Sequence, residues 1–186
     1  MEISSRVEND HDLLQITFAT DWKAQAEQGG FYQALASGKY LEKGLDVKII
    51  QGSANINIPR LLASSSIDFG MGSNSFIPMN MVANNIPGKA VMAVFQKDPQ
   101  IIMTHGDNNI NSIDDINDLP IMIADASIGG FWLWLKSKYN FNDSQIRKKT
   151  ISLAPFLKDV SAIQQGYLTS EPYLFEQITG KQPKVF

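Results

Sequence analysis

The chain has 186 residues, of which 44% are hydrophobic and 19% charged, and a formal net charge of −3. That length suits one large α/β domain, or one lobe and part of a second. The mildly acidic balance offers no basic stripe for a nucleic-acid backbone, and the absence of cysteine removes disulfides, zinc–thiolate centres and thiol nucleophiles.

Met1–Asp12 is polar and acidic, without the basic stretch and apolar core of a secretory signal, and reads as a tail. Leu13–Phe18 is a short apolar strand. The loop Ala19–Gln28 leads through Gly29-Gly30 into a helix over Phe31–Ser37, which Gly38 stops. Leu45–Ile50 alternates as a strand, Ile56–Ser64 is helical, Ile67–Met71 is a strand and Phe76–Ala83 a helix. Ala90–Phe95 reads as a buried strand. Strand and helix alternate this far, which predicts a doubly wound, largely parallel sheet.

Lys97–Gln100 is a connector, and Ile101–Thr104 a strand crossing into a second unit. Ser112–Asn117 is a short helix capped by Ser112 with Asp115 three residues on. Further elements are a strand Ile121–Ala124, a loop Ala126–Gly130, and helices Phe131–Tyr139 and Asp143–Lys148. A strand Thr150–Leu153, a helical or irregular Pro155–Gln164, a strand Tyr167–Thr169, a helix Glu171–Ile178 and a new strand Lys184–Phe186 complete the chain. That last strand begins as the chain stops, which predicts a piece of a longer protein. The apolar runs are too short to span a bilayer.

In doubly wound sheets ligands bind where loops leave the carboxyl ends of strands. Four such loops stand out. Asp21–Tyr32 holds Trp22, Gln25, Glu27 and a glycine-opened helix start; Trp22 either stacks on a flat ligand or packs in the core. Its spacing is neither GxGxxG nor a Walker loop, so no nucleotide cofactor is expected. Gly70–Ser75 offers Ser73, Asn74 and Ser75, more polar groups than one helix cap needs. Ser127–Trp132 repeats the glycine-pair helix start, and of Trp132 and Trp134 one is expected to pack inward. In Gly166–Tyr173, Pro172 fits the first turn of a helix capped by Ser170, and Glu171 either faces a cleft or complements the helix dipole. Catalytic patterns are thin. With only His11 and His105 present, no metal site is expected, and His105 is expected to be structural or exposed.

Four segments carry a resemblance: WKAQAEQGGFYQALASGKYLEKGLDVKII, IDFGMGSNSF, INSIDDINDLPIMI and QQGYLTSEPY. In this order they resemble the substrate-binding proteins of the sulfonate/nitrate/thiamine-precursor type, the SsuA/THI5-like or NMT1-like family. The resemblance runs from about Leu13 to Phe186. It implies a type II periplasmic-binding-protein fold with two doubly wound α/β lobes. The first lobe would take residues 13–97 and the second residues 98–186, with the second lobe and the return to the first incomplete. It also implies a monomer in the periplasm that captures a small-molecule ligand and delivers it to an ABC transporter permease, with no cofactor and no catalysis. Carried onto this chain, the ligand-binding residues would be Trp22, Gln25, Glu27, Gly52, Ser53, Ser73, Asn74, Ser127, Phe131 and Glu171.

The cleft loops contain acidic Glu27 and Glu171 and no arginine, which favours a heterocycle such as a pyrimidine-type thiamine precursor over an anion. Sulfonate, nitrate or taurine binding is one alternative, because helix N-termini alone can hold an anion. A pyrimidine-synthesis enzyme is another. The eukaryotic enzyme of the family carries a cysteine-rich motif that this chain lacks, and a pyridoxal cofactor here would have to sit at Lys23 or His105. A sensor lobe of a larger receptor is a third.

Overall fold

The computed structural model describes residues 13–186; the acidic tail and His11 lie outside them. The chain builds two sheets. The first has the order β2-β1-β3, from β1 (Leu14–Ala19), β2 (Leu45–Ile50) and β3 (Phe69–Gly70), all parallel. Its crossovers are α1 (Gly29–Ala36) and α2 (Ile58–Ala63), and α3 (Phe76–Ala83) follows β3. α1 ends at Ser37, and Gly38 continues at φ 72°, a left-handed conformation that glycine reaches without a Cβ penalty. Asn57 caps α2 by accepting the Arg60 N–H at 2.9 Å. The core of this half is small: Ala19, Ile58 and Ile67, with Ile50, Ile56, Leu61 and Leu62 packed around them.

The second sheet has the order β6-β5-β7-β4-β8, from β4 (Gln100–Thr104), β5 (Ile121–Ile123), β6 (Ile146–Lys148), β7 (Ile163–Tyr167) and β8 (Lys184–Val185). β5 runs parallel to β6 and β7, while β4 is antiparallel to β7 and β8. Both faces are covered. β4 sends Ile102 into one core, with Trp132, Leu135, Ile121 and Ile163, and sends Ile101 and Met103 into another, with Phe156 and Phe175. That alternation is the period of two of a strand. α6 (Ala154–Lys158) and α7 (Glu171–Thr179) supply the two phenylalanines. Pro172 lies in the first turn of α7, with Ser170 at the N-cap position. His105 belongs to this second core. It is buried, its Nε2 lies 2.7 Å from the Phe156 carbonyl, and its ring stacks on Phe156 and meets Phe175 edge-on.

Five expectations about elements need correction. The strand expected over Tyr167–Thr169 lies earlier, as β7, and the chain turns over 168–170 into α7. Ala90–Phe95 forms no strand, and Val91, Met92, Val94 and Phe95 are exposed. Its apolar, β-branched character is real, but a strand needs a neighbouring backbone, and the sheet ends on a two-residue β3. The loop Ala126–Gly130 is helical: α4 (Asp125–Ser127), a π turn (Ile128–Trp132) and α5 (Leu133–Tyr139) follow one another without a break. Asp143–Lys148 is a 3-10 turn, Asp143–Gln145, running into β6. The Asn142/Gln145 capping box opens that turn, and Ile146 leaves it in an extended conformation, ψ 128°, to begin β6. Thr150–Leu153 is irregular, because the strand lies just before it. The Ser112/Asp115 capping box is present, with Asp115 accepting the Ser112 N–H at 2.9 Å. Trp132 is fully buried and Trp134 is 40% exposed. Among the described residues no helix is long and apolar enough to cross a membrane.

Candidate functional site

Strands β1, β5, β6 and β7 each release a polar residue at the carboxyl end, and these residues meet. After β1 come Thr20, Asp21 and Trp22. Thr20 is fully buried; its hydroxyl donates to the Trp22 carbonyl at 2.8 Å and accepts the Gly52 N–H at 2.9 Å. This clamp brings the loop after β2 against the loop after β1. Gly52 must be glycine for the same reason: a Cβ would run into the Thr20 carbonyl and stand 2.5 Å from Asp21 C and Trp22 N. The chain then turns through a 3-10 element, Ala26–Gln28, closed by a Gln25/Gln28 capping box. The Gln28 side-chain amide reaches back to Asp21 Oδ1 at 3.4 Å.

On the other sheet, Lys149 follows β6, and its N–H donates to the Ile123 carbonyl at 3.2 Å. Its ammonium bonds Glu171 Oε1 at 2.8 Å, with side-chain exposures of 7% and 11%, and lies 5.2 Å from the centre of the Trp22 ring. Glu171 opens α7, and its second oxygen accepts the Tyr167 N–H at 2.7 Å and the Ser170 hydroxyl at 2.9 Å. Burial pushes this carboxyl up, but the Lys149 ammonium and those two donors outweigh it and hold the group below its ordinary value. Asp21 goes the other way. Burial raises it and the Glu27 charge adds, against the Gln28 bond. Burial also raises the Tyr167 phenol, reinforced by Asp21, Asp98, Glu171 and Glu27.

Three hydrogen bonds join the two halves here. Thr169 Oγ1 donates to Glu27 Oε1, the Tyr167 hydroxyl to the Ser73 carbonyl at 2.9 Å, and Asn80 Nδ2 to the Gly129 carbonyl at 3.0 Å. Between the halves lies a cleft of about 450 Å³ counted with its open mouth. Asp21, Trp22, Gln25, Glu27, Gln28 and Ser73 line it from the first half. Ala124, Ala126, Ser127, Lys149, Gln165, Tyr167 and Glu171 line it from the second. A smaller recess of about 260 Å³ shares Trp22, Gln25, Lys149 and Glu171 with it, so these four stand between the two spaces.

Of the residues expected to bind ligand, Trp22, Gln25, Glu27, Ser73, Ser127 and Glu171 line the cavity, and Gly52, Ser53, Asn74 and Phe131 do not. Gly52 is the clamp contact described above, and Ser53 Oγ accepts the Asn55 N–H within a turn. Asn74 caps α3 through the Phe76 N–H at 3.0 Å. Phe131 is buried in the core with Trp132 because the helix starts before it, not at it. Ser127 is almost wholly buried, and its hydroxyl donates to Gln100 Oε1, which also accepts from Gln165.

Asp21, Gln28, Lys149, Gln165 and Tyr167 were not expected at the cavity. Asp21 and Tyr167 stand at strand ends within the polar loops already singled out. Lys149 closes a basic run, Arg147-Lys148-Lys149, that reads as a solvated face. It also corrects one argument about charge: the cleft does hold a cation, although Glu171 neutralises it. Among the described residues no group of three His, Cys, Asp or Glu is placed to hold a metal ion.

The NMT1/THI5-like family model matches residues 25–169, most of the chain; of the cavity lining, Asp21, Trp22 and Glu171 fall outside that span. The chain belongs to the NMT1/THI5-like family. Solved structures place this member's fold among the type II periplasmic binding proteins. It superposes on the periplasmic aliphatic sulphonate binding protein SsuA of Escherichia coli with a TM-score of 0.55 at 12% identity, covering 94% of this chain and 56% of that one. A putative periplasmic sulfonate-binding protein of Methylobacillus flagellatus gives a TM-score of 0.58 at 13% identity, with 94% and 56% covered. An ancestral arginine-binding protein bound to arginine gives 0.57 at 11%, with 92% and 77% covered. The chain thus spans 56% of the length of the sulfonate-binding structures it matches. No curated protein matches it by sequence. Identities this low carry the fold alone. The mixed second sheet, with β4 antiparallel to both β7 and β8, is therefore part of the fold of this NMT1/THI5-like chain.

Proposed function

We propose that this chain is the ligand-capturing part of a substrate-binding protein that works with an ABC importer. Its two sheets act as two lobes, residues 13–97 and 98–186, which hold a small molecule between them in the periplasm as a monomer and pass it to a permease. The observation that carries this reading is the cavity itself: loops from both sheets line it, and hydrogen bonds between the halves frame it. Two lobes closing on a ligand are what a hinge-type binding protein requires. The chemistry at the site is recognition. Lys149 is engaged by Glu171, and His105 is packed in the core away from the cavity.

The lining suits a flat nitrogen heterocycle of the pyrimidine type. Trp22 offers a ring face, while Gln25, Ser73 and Gln165 offer hydrogen bonds. The similarity in fold to sulfonate-binding proteins supports a second ligand class, an anion held against Lys149. Calorimetric titration of the chain with aminopyrimidines, flavins and alkyl sulfonates separates the two. Binding of an aminopyrimidine and loss of that binding in Trp22→Ala is the expected result. Tight sulfonate binding with no response to heterocycles overturns the heterocycle assignment, and no binding by any of them overturns the capture function.

A further inference from the structure

The cavity is lined by three carboxylates, Asp21, Glu27 and Glu171, and by one ammonium, Lys149. Glu171 is committed: one oxygen bonds Lys149 and the other accepts from Tyr167 and Ser170. Lys149 is committed to Glu171 in turn, so the cation within the cavity is matched and two carboxylates remain. They differ. Asp21 accepts a long contact from the Gln28 amide, with its own and the Trp22 backbone N–H groups beside it. Glu27 is 6% exposed; its Oε1 accepts from Thr169, while its Oε2 is buried with no partner among the described residues. The hydroxyl of Ser73, also on the lining, is likewise buried and unpartnered. A carboxylate oxygen can only accept, and leaving it buried without a donor costs more than leaving a neutral group so. A nine-tenths-buried carboxylate beside a second carboxylate, in a cavity whose cation is already paired, is complementary to a ligand that brings both a donor and a positive charge. The carboxylates do not form a metal-ligand set among the described residues, which leaves an organic cation.

We propose that the molecule captured here is a flat organic cation of the amidinium or protonated aminoheterocycle type. Its N–H donors meet Glu27 Oε2, with Asp21 adding charge, and its ring lies against Trp22. The proposal rests on the reading of the cleft as a capture site and deepens it by fixing the sign of the ligand's charge. Neutral heterocycles of the same shape lose the charged pairing, and anions meet two carboxylates that no cation neutralises.

Three flat probes of nearly one shape test this by calorimetry at pH 7: benzamidine (cation), benzamide (neutral) and benzenesulfonate (anion). Benzamidine is expected to bind at least tenfold more tightly than benzamide, with benzenesulfonate weakest, and the margin is expected to narrow as salt is added. Glu27→Gln keeps an acceptor for Thr169 but removes the charge, and is expected to erase the preference for benzamidine over benzamide. Its melting temperature is measured alongside, and Asp21→Asn serves as a second variant with a smaller expected loss of preference. Equal binding of benzamidine and benzamide, or preference for benzenesulfonate, overturns the charge assignment while leaving the capture site standing. Failure of all three probes, and of the aminopyrimidines, flavins and sulfonates, overturns both. An unchanged preference in a folded Glu27→Gln overturns the role given to Glu27.

Discussion

Replacing Glu171 by glutamine keeps the shape of the side chain and removes its charge. Lys149 then sits 7% exposed with its 2.8 Å ionic partner gone, facing only the Trp22 ring at 5.2 Å. The contact with the Trp22 ring is already present in the native protein and offsets nothing; removing one member of a buried pair costs about 3–5 kcal/mol, and the glutamine oxygen, still an acceptor, keeps the loss at the low end. The expected net loss is therefore about 3 kcal/mol. In a domain of this size each kcal/mol shifts the melting temperature by roughly 2–4 °C, so the midpoint is expected to fall by about 6–12 °C. Lys149→Met is expected to cost less, about 2 kcal/mol. It leaves Glu171 with two donors, the Tyr167 N–H and the Ser170 hydroxyl, where Glu171→Gln leaves the Lys149 ammonium with no acceptor of comparable strength. The double variant is expected to cost less than the sum of the singles, since each single strands the other charge. Urea denaturation of the four proteins measures all three quantities. A Glu171→Gln loss below about 1 kcal/mol, or additive singles, would show that the pair is solvated and that burial does not set its energy.

Acid titration of stability gives a signed test of the same group. The folded Glu171 carboxyl is held below its ordinary 4.5, so the stability it adds is full above that pH and is lost as pH falls through the lower folded value. Glu171→Gln is expected to flatten that limb in circular-dichroism titrations. Asp21 carries the opposite sign. Burial raises it above 3.8, so ionising it costs stability as pH rises through the folded value, and Asp21→Asn is expected to raise the melting temperature at pH 7 but not below pH 3.8. Gly52→Ala is expected to cost roughly 1–3 kcal/mol by overpacking, and to shift Trp22 fluorescence, because the added Cβ meets the Thr20–Trp22 backbone. Trp132→Ala is expected to lose about 3–5 kcal/mol in thermal unfolding, since it empties a fully buried site; Asp143 Oδ1, which accepts its indole N–H at 2.8 Å, keeps the Lys136 ammonium.

Where local chemistry decides an element, the sequence shows it. β2 alternates over Leu45–Ile50 as expected, α3 covers Phe76–Ala83, and the Ser112/Asp115 box opens its turn. Where a partner decides, it does not. The run at 90–95 has the composition of a strand, but no local pattern says whether a neighbouring strand is there to receive it. Gly129-Gly130 reads as a loop because paired glycines break helices, yet neither has a positive φ. Gly130 is there for space: a Cβ would stand 3.1 Å from the Asn74 side-chain amide atoms and 3.2 Å from Phe76 Cβ. That constraint comes from a residue more than fifty positions away. The cavity divides the same way. Trp22, Glu27, Ser73, Ser127 and Glu171 are polar or aromatic residues at strand ends, where such folds place ligands. Lys149 hides in a basic run, and only the pairing with Glu171, 22 residues on, reveals it as interior.

The bonds that join the halves close very long stretches of chain. Thr169 and Glu27 are 142 residues apart, Tyr167 and Ser73 are 94, and Asn80 and Gly129 are 49. Contacts of such separation reward the chain only after its loops have been closed, so they form late in folding, after each sheet has gathered its own local core. By the same reasoning they are the first to part under native conditions. Amide hydrogens of Tyr167 and Glu27 should exchange through a smaller opening than those of Ile102 and Ile121, and ligand capture should slow exchange at the former while leaving the latter untouched. The region proposed to recognise the ligand is then the seam along which the molecule breathes.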